Sequence, residues 1–118
     1  MEIINKIFKK KSKKTEEKEL DEMWKTKVKQ RDGYICQICK KKLTPKQARA
    51  HHILPRQLKK LRWDVNNGIT LCDYHHRRGI YSPHQNVIWF FGWMNLHKKE
   101  QLKYCINKLE EVGKKYEL

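Results

Sequence analysis

Two pairs of possible metal ligands constrain the fold of this chain more than any other feature of its sequence. Cys36 and Cys39 are separated by two residues, and so are Cys72 and His75. Each pair can present two donor atoms to one ion, and together the pairs can complete a tetrahedral zinc site. A zinc ion held in this way would connect the start of the core to its end. That link matters in a chain of 118 residues, which can bury only a limited apolar core.

The fourth ligand stays open at this point, because His76 directly follows His75 and could replace it. Disulfide bonds are the other explanation for the cysteines, but they are typical of secreted chains. The N-terminus lacks an apolar run of signal-peptide length, and no apolar run approaches the roughly 18 residues of a membrane-spanning helix. We therefore expect a reducing, cytoplasmic setting with no membrane partner, in which cysteines at this spacing are typically metal ligands.

The chain is strongly basic, with a formal net charge of +15 and a sequence pI of about 9.8. Its cations are concentrated between Lys25 and Arg62, where Asp32 is the only acidic residue. Such a field favours a polyanionic partner, with nucleic acid first and an anionic membrane surface as the weaker alternative. Residues 1–15 are predicted to form a flexible basic arm, because closely spaced lysines repel one another and resist ordering.

The first regular element predicted is a helix over residues 16–31. Thr15 is a suitable N-cap, and the acidic first turn suits the positive end of the helix dipole. Met23, Trp24 and Val28 fall at helical spacing. Met23 and Trp24 are therefore expected in the core, because such stripes usually face inward.

Turn signals and short apolar runs predict a strand, a loop, a second strand and a helix between residues 48 and 80. The first strand covers residues 50–53. Asn66-Asn67-Gly68 is a turn signal that leads into a second strand at 69–71. The helix begins at Cys72 and carries the second ligand pair and the arginines that follow it.

Residues 83–118 combine an aromatic segment with a last helix. The apolar run at 87–93 is predicted to be a strand or turn that covers the core, since aromatic side chains usually bury. A surface for self-association or for a protein partner is the alternative. An amphipathic helix that ends near Gly113 is predicted after Asn95, with Cys105 as a small core residue on its apolar face.

Four stretches in a fixed order resemble the HNH endonuclease family, in its zinc-knuckle-containing subtype. They are Arg31-Asp32-Gly33-Tyr34-x-Cys36-x-x-Cys39, His51-His52-Ile53-x-Pro55, Asn67-Gly68-Ile69-Thr70-Leu71-Cys72 and His76. The resemblance covers roughly residues 24–80 and implies the fold of that family, two antiparallel strands and a helix around one catalytic metal ion. The expected class is α+β: a small ββα-metal core within residues 16–82, with a structural zinc site, flanked by N-terminal and C-terminal helices.

The resemblance also implies roles for individual residues. His52 takes the position of the general base, and Asn67 that of the asparagine that braces the loop between the strands, although the adjacent Asn66 could take that place. His51 and His76 take positions of ligands to a catalytic divalent ion, with Mg²⁺ or Mn²⁺ expected. A neutral imidazole, with an ordinary pKa of about 6.5, is suited to remove a proton from water near neutral pH.

DNA is the substrate that the resemblance implies, with hydrolysis of phosphodiester bonds to 5′-phosphate and 3′-hydroxyl ends. The predicted contacts to nucleic acid are Arg49, Arg56, Arg77 and Arg78. Many zinc-bearing members of the family have cysteine where this chain has His75, but three cysteines and one histidine are still sound zinc ligands.

The function implied is that of a metal-dependent DNA endonuclease or nickase. Two alternatives stay open: a non-catalytic zinc-knuckle module that binds DNA, and a small phage or mobile-element accessory protein that acts through its 87–93 aromatic segment. An enzyme and a zinc module both predict salt-sensitive DNA binding. Only the enzyme needs a second divalent ion and His52. By analogy with the family, the setting is a bacterial or phage-infected host cell.

Overall fold

The computed structural model describes residues 12–113. Most of the basic arm predicted at residues 1–15 therefore lies outside the described residues. In chain order the elements are α1 (Lys13–Arg31), β1 (Arg49–His52), α2 (Lys59–Arg62), β2 (Gly68–Leu71), α3 (Val87–His97) and α4 (Lys99–Gly113). This arrangement of helices around a two-stranded antiparallel sheet confirms the predicted α+β class.

Helix α1 begins three residues earlier than its sequence suggested. Its N-cap is Ser12, whose hydroxyl accepts a hydrogen bond from the Thr15 backbone N–H, so the prediction of Thr15 as the cap is wrong. Serine is at least as good an N-cap as threonine, and nothing at 13–15 opposes a helix. Trp24 is buried as predicted, but Met23 is 53% exposed, contrary to prediction. Only the stripe that holds Trp24 and Val28 meets the sheet.

The sheet is a hairpin in which β1 and β2 pair antiparallel. Arg49 lies opposite Leu71, and His52 lies opposite Gly68. The predicted strands are confirmed to within a residue at their ends. The connection between the strands contains α2 and a 3-10 turn at Val65–Asn67.

After β2 the chain forms a short π-helical turn, Tyr74–Arg78, in place of a longer regular helix. The His75 backbone nitrogen lies 3.4 Å from the Cys72 sulfur, so this N–H points at a candidate ligand atom and away from the helical ladder. The predicted order of strand, loop, strand and helical turn is thus confirmed. Single π turns are frequent at functional sites, because the wider turn re-aims side chains.

The aromatic segment is helical, so the prediction of a strand or turn at 87–93 is wrong. Asn86 caps α3 by accepting a hydrogen bond from the Trp89 backbone N–H. Phe90 and Met94, one turn apart, are the buried residues of this helix. An apolar run without polar interruptions has no readable period, so its pattern alone could not distinguish a helix from a strand. Helix α4 covers Lys99–Gly113, so the predicted last helix is confirmed within the described residues.

One core joins the hairpin to the C-terminal helices. Ile69 and Leu71 of β2 share a buried cluster with Phe90 of α3 and with Leu102 and Cys105 of α4. Cys105 is fully buried, as predicted. None of the helices within residues 12–113 combines the length and the apolar character that a membrane crossing requires.

Candidate metal centres and catalytic site

Cys36, Cys39, Cys72 and His75 form the first candidate metal centre, with donor atoms that all lie within 4.8 Å of one another. The Cys39 and Cys72 sulfurs are 3.9 Å apart. His75 Nδ1 lies 3.3 Å from the Cys72 sulfur and 4.0 Å from the Cys36 sulfur. Ligand atoms around a tetrahedral zinc ion would be separated by about 3.5–3.8 Å, given Zn–S and Zn–N bonds near 2.3 and 2.0 Å. The cluster could therefore hold a structural metal such as zinc.

A tight turn prepares the first pair of cysteines. Ile35 and Lys42 form an isolated antiparallel bridge, and inside it the Cys36 N–H donates to the Lys41 carbonyl and the Lys40 N–H to the Cys36 carbonyl. Lys40 has a φ of 64°, in the left-handed region that a non-glycine residue rarely adopts. This turn brings the sulfurs of the first pair to one side, where the second pair meets them from the end of β2.

The thiols of buried Cys36 and half-buried Cys72 differ in acidity. Burial works against ionisation of Cys36, but backbone N–H groups of Cys39, Cys72 and Ile38 hold the pKa of its thiol below its usual range. Burial, with the neighbouring Cys36 and Cys39 sulfurs, raises the pKa of Cys72 to about 11. A cation among the sulfurs would offset this repulsion, as expected where thiolates must share one ion.

The second candidate metal centre consists of His51, His76 and His84, whose ring nitrogens also lie within 4.8 Å of one another. The Nε2 atoms of His76 and His84 are 3.1 Å apart. The ring centroid of His51 lies 5.2 Å from that of His76 and 5.1 Å from that of His84. Imidazole nitrogens at about 2.0–2.1 Å from one ion would be separated by about 3.3 Å. These three side chains therefore fit a divalent cation.

The environment keeps these imidazoles neutral at pH 7. Burial, with the positive charge of the neighbouring histidines, lowers the pKa of His51 to about 3. Burial likewise lowers the pKa of His76 to about 4, and His84 and Arg77 add to the shift. A neutral imidazole has a free lone pair, which is the form that binds a metal.

The structure also separates the adjacent histidines 75 and 76. His75 joins the cysteine cluster, and His76 joins the histidine cluster. In the π turn the two side chains leave the backbone in different directions, so each candidate centre receives one of them. This geometry favours His75 over His76 as the fourth ligand of the cysteine cluster.

Sequence reasoning missed His84. It lies in the loop between the π turn and α3, which is held by buried Ser82: the Ser82 hydroxyl donates to the Gly79 carbonyl and accepts from the Gln85 N–H. A further histidine directly after Ser82-Pro83, shortly beyond His76, was the available signal. Loop spacing carries no period, so only the fold shows that this histidine returns to the cluster.

His52, the predicted general base, lies on the other face of β1 from His51. Its ring stacks on Trp24 of α1, with centroids 3.8 Å apart and planes within 4°. Its Nε2 lies 2.8 Å from the Arg62 carbonyl oxygen. A carbonyl can only accept, so Nε2 carries the proton and Nδ1 keeps the basic lone pair. Burial lowers the pKa of His52, which keeps that lone pair available at neutral pH.

Asn67 is fully buried and braces the loop between the strands. Its Oδ1 accepts from the Leu54 N–H at 2.7 Å, and its Nδ2 donates to the carbonyls of Leu54 and Leu61. These bonds tie the end of β1 to α2. Asn66 is exposed and Asn67 is fully buried, so the geometry favours Asn67 for this role.

The four predicted nucleic-acid contacts occupy different surroundings. Arg49 and Arg78 line a groove of about 620 Å³ beside the cysteine cluster, and Lys41 and Lys46 line it too. Arg78 pairs with Asp73. Arg77 and Arg49 lie close enough to the histidine cluster to lower the pKa of His76.

Arg56 lies apart from this groove. It pairs with Asp21 of α1 at 3.7 Å, and its side chain is 61% exposed. It borders a separate cavity lined by residues of α1. The structure therefore brings Arg49 and Arg78 together near the candidate centres but leaves Arg56 on the α1 side.

The family comparison covers the segment that contains most of these side chains. Residues 36–78, less than half of the chain, match the family model described as HNH endonuclease. The matched segment includes His51, His52 and His76 but stops before His84. No curated protein and no solved structure matches the chain. Residues 36–78 thus match the HNH endonuclease family, and the cysteine cluster fits its zinc-knuckle subtype.

Proposed function

We propose that this chain is a divalent-metal-dependent DNA endonuclease or nickase that hydrolyses phosphodiester bonds. One observation carries the proposal: β1 presents a candidate metal ligand, His51, and a candidate base, His52, as neighbours, and each has the partners its role requires. A module that only binds DNA would need neither the histidine cluster nor an oriented base. The family match makes nuclease activity the expected chemistry of this segment.

His52 removes a proton from the attacking water through Nδ1. Its Nε2–H is held by the Arg62 carbonyl, which selects this tautomer and leaves the lone pair of Nδ1 free. Asn67 maintains the position of the loop that carries this carbonyl. The scissile phosphate would be held by an ion bound to the cluster of His51, His76 and His84.

A divalent ion in that cluster would polarise the scissile phosphate and stabilise the leaving oxygen. The sequence suggested Mg²⁺ or Mn²⁺. A set of three imidazoles suits transition-metal ions, such as Zn²⁺, Ni²⁺ and Mn²⁺, better than Mg²⁺, which prefers oxygen ligands. We therefore propose a transition-metal ion as the functional one.

The substrate is proposed to be DNA because the groove beside the centres is cationic. Lys41, Lys46 and Arg49 have no acidic partner within the part of the chain that the structure describes, and Asp73 is already paired. Such side chains are free to neutralise phosphates. The groove adjoins the histidine cluster through Arg49, so a bound backbone would pass the candidate catalytic residues.

The first experiment is a supercoiled-plasmid assay on metal-stripped protein, with Mg²⁺, Mn²⁺, Ni²⁺ or Zn²⁺ added separately. The native protein should convert the plasmid to nicked or linear form only with an added ion. His52→Ala should slow the reaction about 10²- to 10⁴-fold, the usual contribution of a general base. His97→Ala, which removes an exposed histidine of α3, is the matched control and should cut normally.

Equal inactivity of the native protein and His52→Ala, with every ion, would contradict the proposal. If both proteins then still shifted DNA in a gel, the chain would be a zinc-knuckle DNA-binding module. If His52→Ala still cut the plasmid, the chain would be a nuclease, but His52 would not be its general base.

A further inference from the structure

We propose that helix α1, which lies outside the matched HNH segment, positions the catalytic base, with Trp24 as its main positioning residue and Asp21 as its second. The proposal rests on the catalytic role proposed for His52. Two contacts from α1 position this imidazole, one directly and one through Arg62. One holds the plane of the ring, and the other holds the carbonyl to which the ring is bonded.

The first contact is the stack of Trp24 on His52. The rings are 3.8 Å apart and almost parallel, with an interplanar angle of 4°. Trp24 is itself immobilised, because it is 2% exposed and its indole N–H donates to the Asp64 carbonyl at 2.8 Å. A fixed indole plane leaves the imidazole little freedom to rotate about its side-chain bonds.

Gly68 shows that this approach of α1 is built into the hairpin. Gly68 lies directly opposite His52 on β2. A Cβ atom at Gly68 would lie 2.6 Å from the Trp24 ring and 2.5 Å from Val28, closer than carbon atoms can approach. The glycine therefore permits Trp24 to cover both strands at the end where His52 sits.

The second contact holds the carbonyl of Arg62 that accepts from His52. Arg62 is buried, with a side chain that is 9% exposed. Its guanidinium makes a two-point bond to the Asp21 carboxylate of α1, at 2.9 and 2.7 Å. Asp21 also accepts from the Trp63 indole N–H at 2.9 Å. Two successive residues are thus anchored to α1, and the peptide carbonyl between their side chains is held with them.

Together these contacts determine ring plane and tautomer, the two properties that a histidine base needs. The carbonyl places the proton on Nε2, and the stack fixes the direction of Nδ1. The arrangement parallels the outer-shell partners of metal-binding histidines, whose loss typically reduces function about 10- to 100-fold. In this chain the equivalent support comes from an element outside the family segment.

The test combines imidazole NMR with kinetics on the full chain. Two-bond ¹⁵N–¹H spectra of the native protein should show His52 as a single Nε2–H tautomer, whether or not the protein cuts DNA. In Trp24→Leu the single-tautomer signal of His52 should be lost, and kcat should fall about 10- to 100-fold with KM little changed. Trp24→Phe, which keeps an aromatic ring for the stack, should restore most of the activity.

Val28→Ala is the matched control, since it removes a buried side chain of the same helix and leaves the stack. It should lower Tm while kcat and the NMR signature stay native. If Trp24→Leu did not fold, Asp21→Ala would carry the test, because it removes the two-point partner of Arg62, leaves only the 3.4 Å bond to Glu17, and keeps the apolar core intact. Its expected result is the same loss of the single tautomer and of kcat.

Three outcomes would overturn the proposal: a native His52 that is a mixture of tautomers, a Trp24→Leu or Asp21→Ala protein with native kcat, or a Val28→Ala protein as slow as Trp24→Leu. A single Nε2–H tautomer in a protein without nuclease activity would instead refute the proposed function and leave the positioning contact in place.

Discussion

His84 changes the candidate catalytic centre more than any other residue. The sequence supplied His51 and His76, which make an incomplete set for a tightly bound ion. The fold adds a third imidazole from a loop beyond the matched segment, 3.1 Å from His76 between Nε2 atoms. The candidate centre therefore depends on a residue that motif reasoning alone does not reach.

His84→Ala should weaken binding of the second divalent ion by at least about tenfold and leave the structural metal in place. The reason is that one of three nitrogen donors is lost while the cysteine cluster is untouched. Calorimetric titration of Mn²⁺ or Ni²⁺ into the metal-stripped centre measures this, together with the zinc content by elemental analysis. His97→Ala is the control, and equal ion affinities in both variants would remove His84 from the centre.

At the scale of elements, the cysteine cluster joins the turn after α1 to the end of β2. These segments are far apart in sequence, and they are also joined by the Gln37 N–H to Thr70 carbonyl bond and the Thr70 N–H to Asp32 carboxylate bond. Structural zinc in small domains contributes folding free energy directly, about 10–16 kcal/mol in zinc-finger peptides. A zinc ion held by the cluster would therefore couple the order of the hairpin to metal binding.

Substitutions at the second ligand pair should separate the roles of the adjacent histidines. His75→Ala should lose the structural zinc and lower Tm strongly, because Cys36, Cys39 and Cys72 alone leave the ion one protein donor short. His75→Cys should keep zinc, since thiolate and imidazole are both good zinc ligands. His76→Ala should keep it as well. Zinc content and thermal unfolding measure these outcomes; zinc loss in His76→Ala but not His75→Ala would reverse the assignment.

Across the whole molecule, we expect the cationic side chains to contribute unequally to DNA binding. The groove lined by Lys41, Lys46 and Arg49 borders the cysteine cluster, and Arg49 lies close enough to His76 to lower its pKa. Other lysines, such as Lys60 and Lys99, lie elsewhere on the surface. Binding of DNA through the groove would therefore depend on which cations are removed and not only on how many.

The double variant Lys41→Gln, Lys46→Gln should bind duplex DNA more weakly and with a smaller salt dependence. Each lost phosphate contact reduces the slope of log K against log salt by about 0.9, so a loss of about 1.8 is expected. Fluorescence anisotropy over a salt series measures this. The double variant Lys60→Gln, Lys99→Gln is the control, because it removes the same charge elsewhere on the surface. An equal fall in its slope would mean that DNA responds to the overall charge and not to the groove.

Self-association or partner binding through the aromatic segment stays a prediction. The helical form of this segment leaves Ile88 84% exposed and Leu96 78% exposed. These side chains fall two turns apart on α3, with Gly92 between them. The inner face of the same helix is committed to the core through Phe90 and Met94.

The sequence alone determined the local features whose causes are local. Ligand pairs two residues apart, the Asn66-Asn67-Gly68 turn and the short apolar runs indicated the hairpin, the cysteine cluster and the order of elements. The spacing of His51, His52 and His76 identified the family segment. In each case the deciding interaction lies within a few residues, or in a motif with fixed internal order.

Only the tertiary structure decided which distant residues meet. It selected His75 for the cysteine cluster and His76 for the other, brought His84 back to the centre, and laid Trp24 over His52. It also turned the aromatic run into a helix, because the contacts of Phe90 and Met94 with the core outweigh a pattern without period. Such contacts join residues far apart in the chain, and their energies come from packing and burial that no local pattern records.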